Sequence, residues 1–181
     1  DFDYKRANES YEQGFRLWQR ASEIRSAVPF IPSPDPLRLV LDEDPFTLDP
    51  GLSNFYSRIV ISHLFSGLLE YTPEMDVLPD IAKRWEILEG GRRYVFHLRE
   101  DILWSDGTAV TAEDFVYAWR RVLNPANQSG SEELLYDIKG ARAFHQGETS
   151  NTESLGIRAN GQYTLEVELD EPAGYFLWLM A

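Results

Sequence analysis

An α+β fold is the architecture this sequence predicts, and three observations carry it. Short alternating strands lie next to tight turn signals: Tyr94, Phe96 and Leu98 follow Glu89-Gly90-Gly91, and Tyr163, Leu165, Val167 and Leu169 follow Asn160-Gly161. Stretches of helical period, not regular crossovers, separate them. At 43% hydrophobic residues over 181 positions, the chain has enough apolar material for one or two packed units.

The elements are taken in chain order. Tyr4 to Val28 reads as an amphipathic helix, with Tyr4, Ala7, Tyr11, Phe15 and Trp18 spaced three or four apart. That stripe needs a surface, either on its own domain, on a neighbouring one, or on a dimerising or regulatory partner. Four prolines in Pro29 to Pro36 make a stiff linker and the best boundary in the chain. Leu37 to Leu41 reads as a short strand and "DEDPFTLDPG" as a shaped loop. Ser57 to Leu69 reads as a helix, Tyr71 to Pro79 as a turn region, and Ile81 to Leu88 as a helical turn passing into a strand.

"ILWSDGTAVTAEDFVYAWRRV" (Ile102 to Val122) combines a turn, a cap and a helix. Gly107 takes positive φ without steric cost. Thr111 and Asp114 have capping-box spacing, and Glu113 and Asp114 put negative charge at the positive end of the helix dipole. Phe115, Trp119 and Val122, with Val116 and Leu123 beside them, form an apolar stripe that Asn124-Pro125 ends. Asp106, Glu113 and Asp114 therefore have structural work and are not expected to be catalytic. Glu132 to Gln146 reads as one further helix, and Leu155 to Ala159 as a strand.

Composition excludes several functions. A net charge of −13 opposes binding to nucleic acid or to an anionic membrane surface. Without cysteine, this stretch has no disulfide, zinc thiolate or thiol nucleophile. No apolar run approaches the about 18 residues of a membrane span. Nucleophile-elbow, zincin, P-loop and dinucleotide-binding patterns are missing, and His63, His97 and His145 lie far apart. His97 falls on the polar phase of its strand. The acidic "DEDPFTLD" lacks the ligand spacing of an EF-hand. "DFDYKRANES" does not read as a secretory signal, and "GYFLWLMA" would expose Phe176, Leu177, Trp178 and Leu179; together they suggest a piece of a longer protein.

Several stretches in order resemble a known family: "LDP" (Leu48 to Pro50), "LFSGLLEY" (Leu64 to Tyr71), "LPDIAKRWEI" (Leu78 to Ile87), "YVFHLREDILWSDGTAVTAEDFVYAWRRVLNP" (Tyr94 to Pro125) and "LGIRANGQYTLEVELDEPAGYFLWLMA" (Leu155 to Ala181). They resemble the peptide- and nickel-type solute-binding proteins of ABC importers, family 5 of the bacterial extracellular solute-binding proteins. The central piece is nearer to the oligopeptide branch. The resemblance spans residues 37–181, leaving 1–28 as a helix outside it and 29–36 as the linker.

This resemblance implies a class II periplasmic-binding-protein-like fold, of which the chain holds part of lobe I and its inserted subdomain, with a mixed or antiparallel sheet. It implies peptide bound in extended form between two lobes, permease subunits as partners, no catalysis, no cofactor, and a place on the periplasmic or extracellular face of the envelope. The loop after "LDP" contacts ligand in that branch, which makes Ser53, Asn54, Phe55 and Tyr56 the candidates. Phe55 or Tyr56 could instead cap the following helix. Where the branch carries an aromatic after the helix ending "NP", this sequence has Ser131, with Tyr136 a few residues on. Two alternatives stand beside transport: a cytoplasmic regulator or sensor with a captured binding domain, and a hydrolase using paired carboxylates.

Overall fold

The computed structural model describes residues 3–26, 40–52 and 55–181. Its centre is a four-stranded antiparallel sheet: β3 (Ala82–Leu88), β4 (Arg93–Leu98), β6 (Thr164–Glu168) and β5 (Ile157–Ala159), in that spatial order. A hairpin of β1 (Leu69–Tyr71) and β2 (Val77–Pro79) stands before it. The helices are α1 (Tyr4–Ser26), α2 (Phe55–Leu64), α3 (Ala112–Leu123) and α4 (Ala141–His145).

The pairing register explains why one face is core. Residues directly opposed across antiparallel strands point to the same side. Ile87, Tyr94, Val167 and Ile157 form one such row, and Trp85, Phe96, Leu165 and Ala159 the next. Phe96 and Leu165 are fully buried. Ala112, Val116 and Leu123 of α3 are buried on the β5–β6 side. The Phe176 ring lies 4.9 Å from Tyr94, whose hydroxyl donates to the Ala173 carbonyl at 3.0 Å. At the β3 edge α1 closes the cover: Tyr11 meets Trp85 edge-on at 5.3 Å, and Asn8 Nδ2 donates to the Ile87 carbonyl at 3.3 Å.

The opposite face is polar and laced with ion pairs. His97 Nε2 and Arg84 both reach Glu86 at 2.8 Å, and Arg158 reaches Glu166 at 3.1 Å. These contacts hold the Glu86 carboxyl below its usual range, Arg84 first and His97 second. His97 thus has a structural partner on the polar phase where the alternation puts it.

Several elements differ from the sequence reading. The helix expected to Leu69 stops at Leu64, and Leu69 pairs with Pro79 in a hairpin. Gly67 explains part of this, because a Cβ there would lie 3.0 Å from the Leu69 carbonyl and 3.3 Å from that of Met180. The turn region of Tyr71 to Pro79 is therefore the tip and second strand of this hairpin. Ala82 enters β3 directly, with no helical turn before it. The helix expected over 132–146 is two pieces, a 3₁₀ turn at Glu132–Leu135 and α4. Ile138 bridges to Leu169 between them, and Gly140 at φ 72° lets the chain pass Ser154. The strands expected over 155–159 and 163–169 are shorter by one or two residues at their ends. The linker 29–36 and residues 37–39 lie outside the described residues, and Val40 and Leu41 have no regular structure. Near the end of the chain Phe176 and Leu177 are buried, so of that apolar run Trp178 is the exposed member.

Among the described residues no helix is long and apolar enough to cross a membrane. The capping box forms: Asp114 Oδ2 accepts from the Thr111 amide at 2.7 Å and from its hydroxyl at 3.0 Å. Asp106 Oδ1 accepts from the Thr108 amide at 2.9 Å, closing the Gly107 turn.

Candidate ligand site

The "LDP" loop is built by short polar side chains bonding to nearby amides. The Asp49 amide donates to Thr47 Oγ1 at 3.0 Å, and Asp49 Oδ1 accepts from the Gly51 amide at 3.0 Å. The Thr47 amide donates to Ser57 Oγ at 3.2 Å, so the loop is tied to a buried position in the first turn of α2. Pro50–Leu52 is a 3₁₀ turn leading toward that helix.

One long-range contact orients this loop. Arg121, near the end of α3, places its guanidinium fork on Asp49: Nη1 meets Oδ1 at 2.8 Å, and Nη2 meets Oδ2. Bidentate pairs of this kind fix direction as well as distance. Arg121 holds the Asp49 carboxyl below the usual carboxylate range, against a smaller opposing effect of burial.

The sequence candidates fall around this anchor. Ser53 and Asn54 lie outside the described residues. Phe55 opens α2 and is 72% exposed, its ring edge-on to Tyr56 at 5.5 Å. Three residues on, Arg58 Nη2 donates to Ser131 Oγ at 3.5 Å across 73 positions of sequence. The two predicted ligand stretches are thus neighbours. Ser131 borders an apolar recess of about 280 Å³ with Phe115, Trp119, Val122 and Leu135. Val116 and Leu123 are the buried members of the α3 stripe, while Phe115, Trp119 and Val122 turn to this recess.

Tyr136 does not line that recess. Its ring lies under the Arg142 guanidinium at 4.6 Å and beside His145 at 5.8 Å, facing a neighbouring cavity of about 440 Å³ with Asp137 and Tyr175, which Leu134 and Leu179 divide from the Ser131 recess. A second apolar groove, about 520 Å³, runs between Leu64 and Phe65 on one side and Trp104 and Phe115 on the other. Arg58 and the Asp49–Arg121 pair escaped the sequence reading. The double arginine closing "DFVYAWRR" was visible there, but its partner 72 residues upstream was not. Among the described residues no group of three or more histidine, aspartate or glutamate side chains could hold a metal ion.

Comparison with known proteins places this geometry. Residues 76–181 match the family described as bacterial extracellular solute-binding proteins, family 5 Middle. The chain is 40% identical over 165 residues to the "Probable deoxycholate-binding periplasmic protein YgiS" of Escherichia coli, covering 89% of this chain and 30% of that one. It is 38% identical over 146 residues to the oligopeptide-binding protein OppA of Bacillus subtilis, covering 80% and 27%. The YgiS match must begin within the first 36 residues, earlier than the resemblance read from residue 37. The Escherichia coli murein tripeptide binding protein MppA superposes with a TM-score of 0.74 at 33% identity, over 78% of this chain and 28% of its own. Haemophilus influenzae OppA in complex with RPPGFSPFR gives 0.69 at 31%, over 74% and 26%. The chain spans under a third of the length of these relatives. Its α+β architecture is accordingly part of a class II periplasmic-binding-protein-like fold, and the chain belongs to family 5 of the bacterial extracellular solute-binding proteins.

Proposed function

We propose that this chain is part of the substrate-binding component of an ABC importer, which holds an oligopeptide between two lobes and passes it to permease subunits without transforming it. One observation carries the reading: Arg58 draws Ser131 to the first turns of α2, next to Phe55 and Tyr56. Stretches 73 residues apart, both assigned to ligand by the resemblance, thereby form one surface. The exposed Phe55 ring offers an apolar face to a side chain in a roomy site.

The periplasmic names of YgiS and MppA support a place at the cell envelope over the cytoplasmic alternative. The carboxylate-pair hydrolase loses ground because Asp49, an acid of the "DEDPFTLD" loop, is engaged by Arg121. The same reading takes 37–181 as the N-terminal part of the binding domain, with 29–36 as linker.

A second reading has its own support. Ser131 stands where an aromatic was expected, it borders an apolar recess, and a relative at 40% identity is named for deoxycholate. An amphipathic carboxylic solute would suit such a recess.

Native mass spectrometry of the full-length protein, purified gently from its host, separates these. A ladder of adducts that sequence as peptides supports the oligopeptide receptor. A single adduct exchangeable with deoxycholate supports the second reading. A bare mass that persists after incubation with both peptide mixtures and deoxycholate overturns the two together.

A further inference from the structure

We infer that Arg121 is a positioning residue for ligand binding, holding both halves of the candidate surface at once. The inference rests on the proposed ligand role of Phe55, Tyr56 and Ser131.

The two ends of Arg121 act on different loops. Its side chain grips Asp49, and Asp49 in turn binds the Gly51 amide at 3.0 Å, within the 3₁₀ turn Pro50–Leu52. Its backbone carbonyl accepts from Asn127 Nδ2 at 2.7 Å, at the start of the loop that leads to Ser131. The Asn124 side chain accepts from the Ala126 amide at 3.0 Å and shapes the same exit from α3. One residue near the end of a helix packed on the sheet is therefore the common reference for residues 47–52 and 127–131.

The pair is poorly suited to a purely stabilising role. The side chains remain 36% and 27% exposed, and ion pairs this open contribute little to global stability. Their geometry is nonetheless directional, because a planar fork on two carboxylate oxygens sets an orientation that a lysine ammonium cannot reproduce. Space around the pair is also tight: a Cβ on Gly51 would lie 3.2 Å from Arg121 Nη1 and 3.4 Å from Asp49 Oδ1.

The test uses the full-length protein, trialanine and tetraalanine as probes, calorimetric titration, thermal melts and amide hydrogen exchange. Arg121→Lys keeps the charge and loses the fork; Gly51→Ala keeps both residues and crowds them. Both are expected to weaken probe binding about tenfold while Tm moves by only a degree or two. Amide exchange should rise in residues 47–52 and 55–58 of both variants, and in 127–131 of Asn127→Ala, which loses the donor to the Arg121 carbonyl, with β3, β4 and β6 unchanged. The swap Asp49→Arg with Arg121→Asp should recover part of the affinity lost by either change alone.

Unchanged affinity and unchanged exchange in both single variants overturn the inference, as does a lowered Tm with full affinity in the folded fraction. If wild-type protein binds neither probe, it is the peptide reading that fails. The exchange data then decide the positioning role by themselves: faster exchange in both loops upholds it, and no change overturns it.

Discussion

The four-stranded sheet and the segment from Val40 to Phe65 belong to one chain but are held by different forces. The sheet closes its own core: Phe96, Leu165 and Val167 are fully buried, with α3, Phe176 and α1 over them. Between Val40 and Phe65, Phe46 is 78% exposed, Phe55 72%, Leu64 59% and Phe65 45%, while Gly51, Ser57 and Ile61 are buried. That segment takes its place from polar anchors, Asp49 to Arg121, Thr47 to Ser57 and Arg58 to Ser131. Burial of apolar area supplies most folding free energy, whereas exposed polar pairs supply direction more than stability. One region therefore reports on stability and the other, on the proposed reading, on ligand.

Substitutions in the two regions test this contrast. The largest effect is expected at Phe96→Ala, where a fully buried ring leaves the centre of the sheet. Chemical denaturation should show a loss of about 3–5 kcal/mol. Gly140→Ala comes next, since φ is 72° and a Cβ would meet the Ser154 carbonyl at 2.7 Å. The same measurement should give about 1–3 kcal/mol. Thr111→Ala removes the hydroxyl that donates to Asp114 at 3.0 Å and should cost about 1 kcal/mol. A fall in ligand affinity at unchanged Tm would instead move Thr111 into the site.

Acid should act on the anchored segment. Asp49 is held lower when folded, so its contribution is complete above the unfolded value of about 3.9 and is lost as pH falls through the folded one. Below about pH 4, the amides of residues 47–49, 51 and 52 should lose protection relative to their intrinsic exchange rates in wild-type protein, and Asp49→Asn should abolish that loss. With side chains this open, the effect on global stability should stay within about 1 kcal/mol. The smallest stability change is expected at Phe55→Ala, within about 0.5 kcal/mol for so exposed a side chain, although probe affinity should drop. A Phe55→Ala variant that binds as wild type would remove that ring from the ligand surface.

What was legible in the sequence divides along the same line. Alternation in Tyr94 to Leu98 and Tyr163 to Leu169 identified two central strands, and Thr111 with Asp114 marked the start of α3. The break of the 132–146 helix was hidden, because Ile138 leaves helical geometry to bridge Leu169, a pairing no local window contains. The end of α2 was hidden likewise by the approach of Gly67 to the Met180 carbonyl.

For the site, the family resemblance pointed to Ser53, Asn54, Phe55 and Tyr56, with Ser131 and Tyr136 as possible contacts; the structure puts Arg58 between Phe55 and Ser131 and leaves Tyr136 facing a neighbouring cavity, while Ser53 and Asn54 lie outside the described residues. The α+β class, the strand faces and the α3 cap were legible because side-chain periodicity and short-range hydrogen bonds act within a few residues, and the family was legible from the resemblance of several stretches in order. The tertiary contacts alone set where α2 stops, where the helix expected over 132–146 breaks, and what sits beside Ser131. Those outcomes rest on contacts between distant residues, Asp49 with Arg121 and Ile138 with Leu169, whose partners are brought within reach only when the core closes.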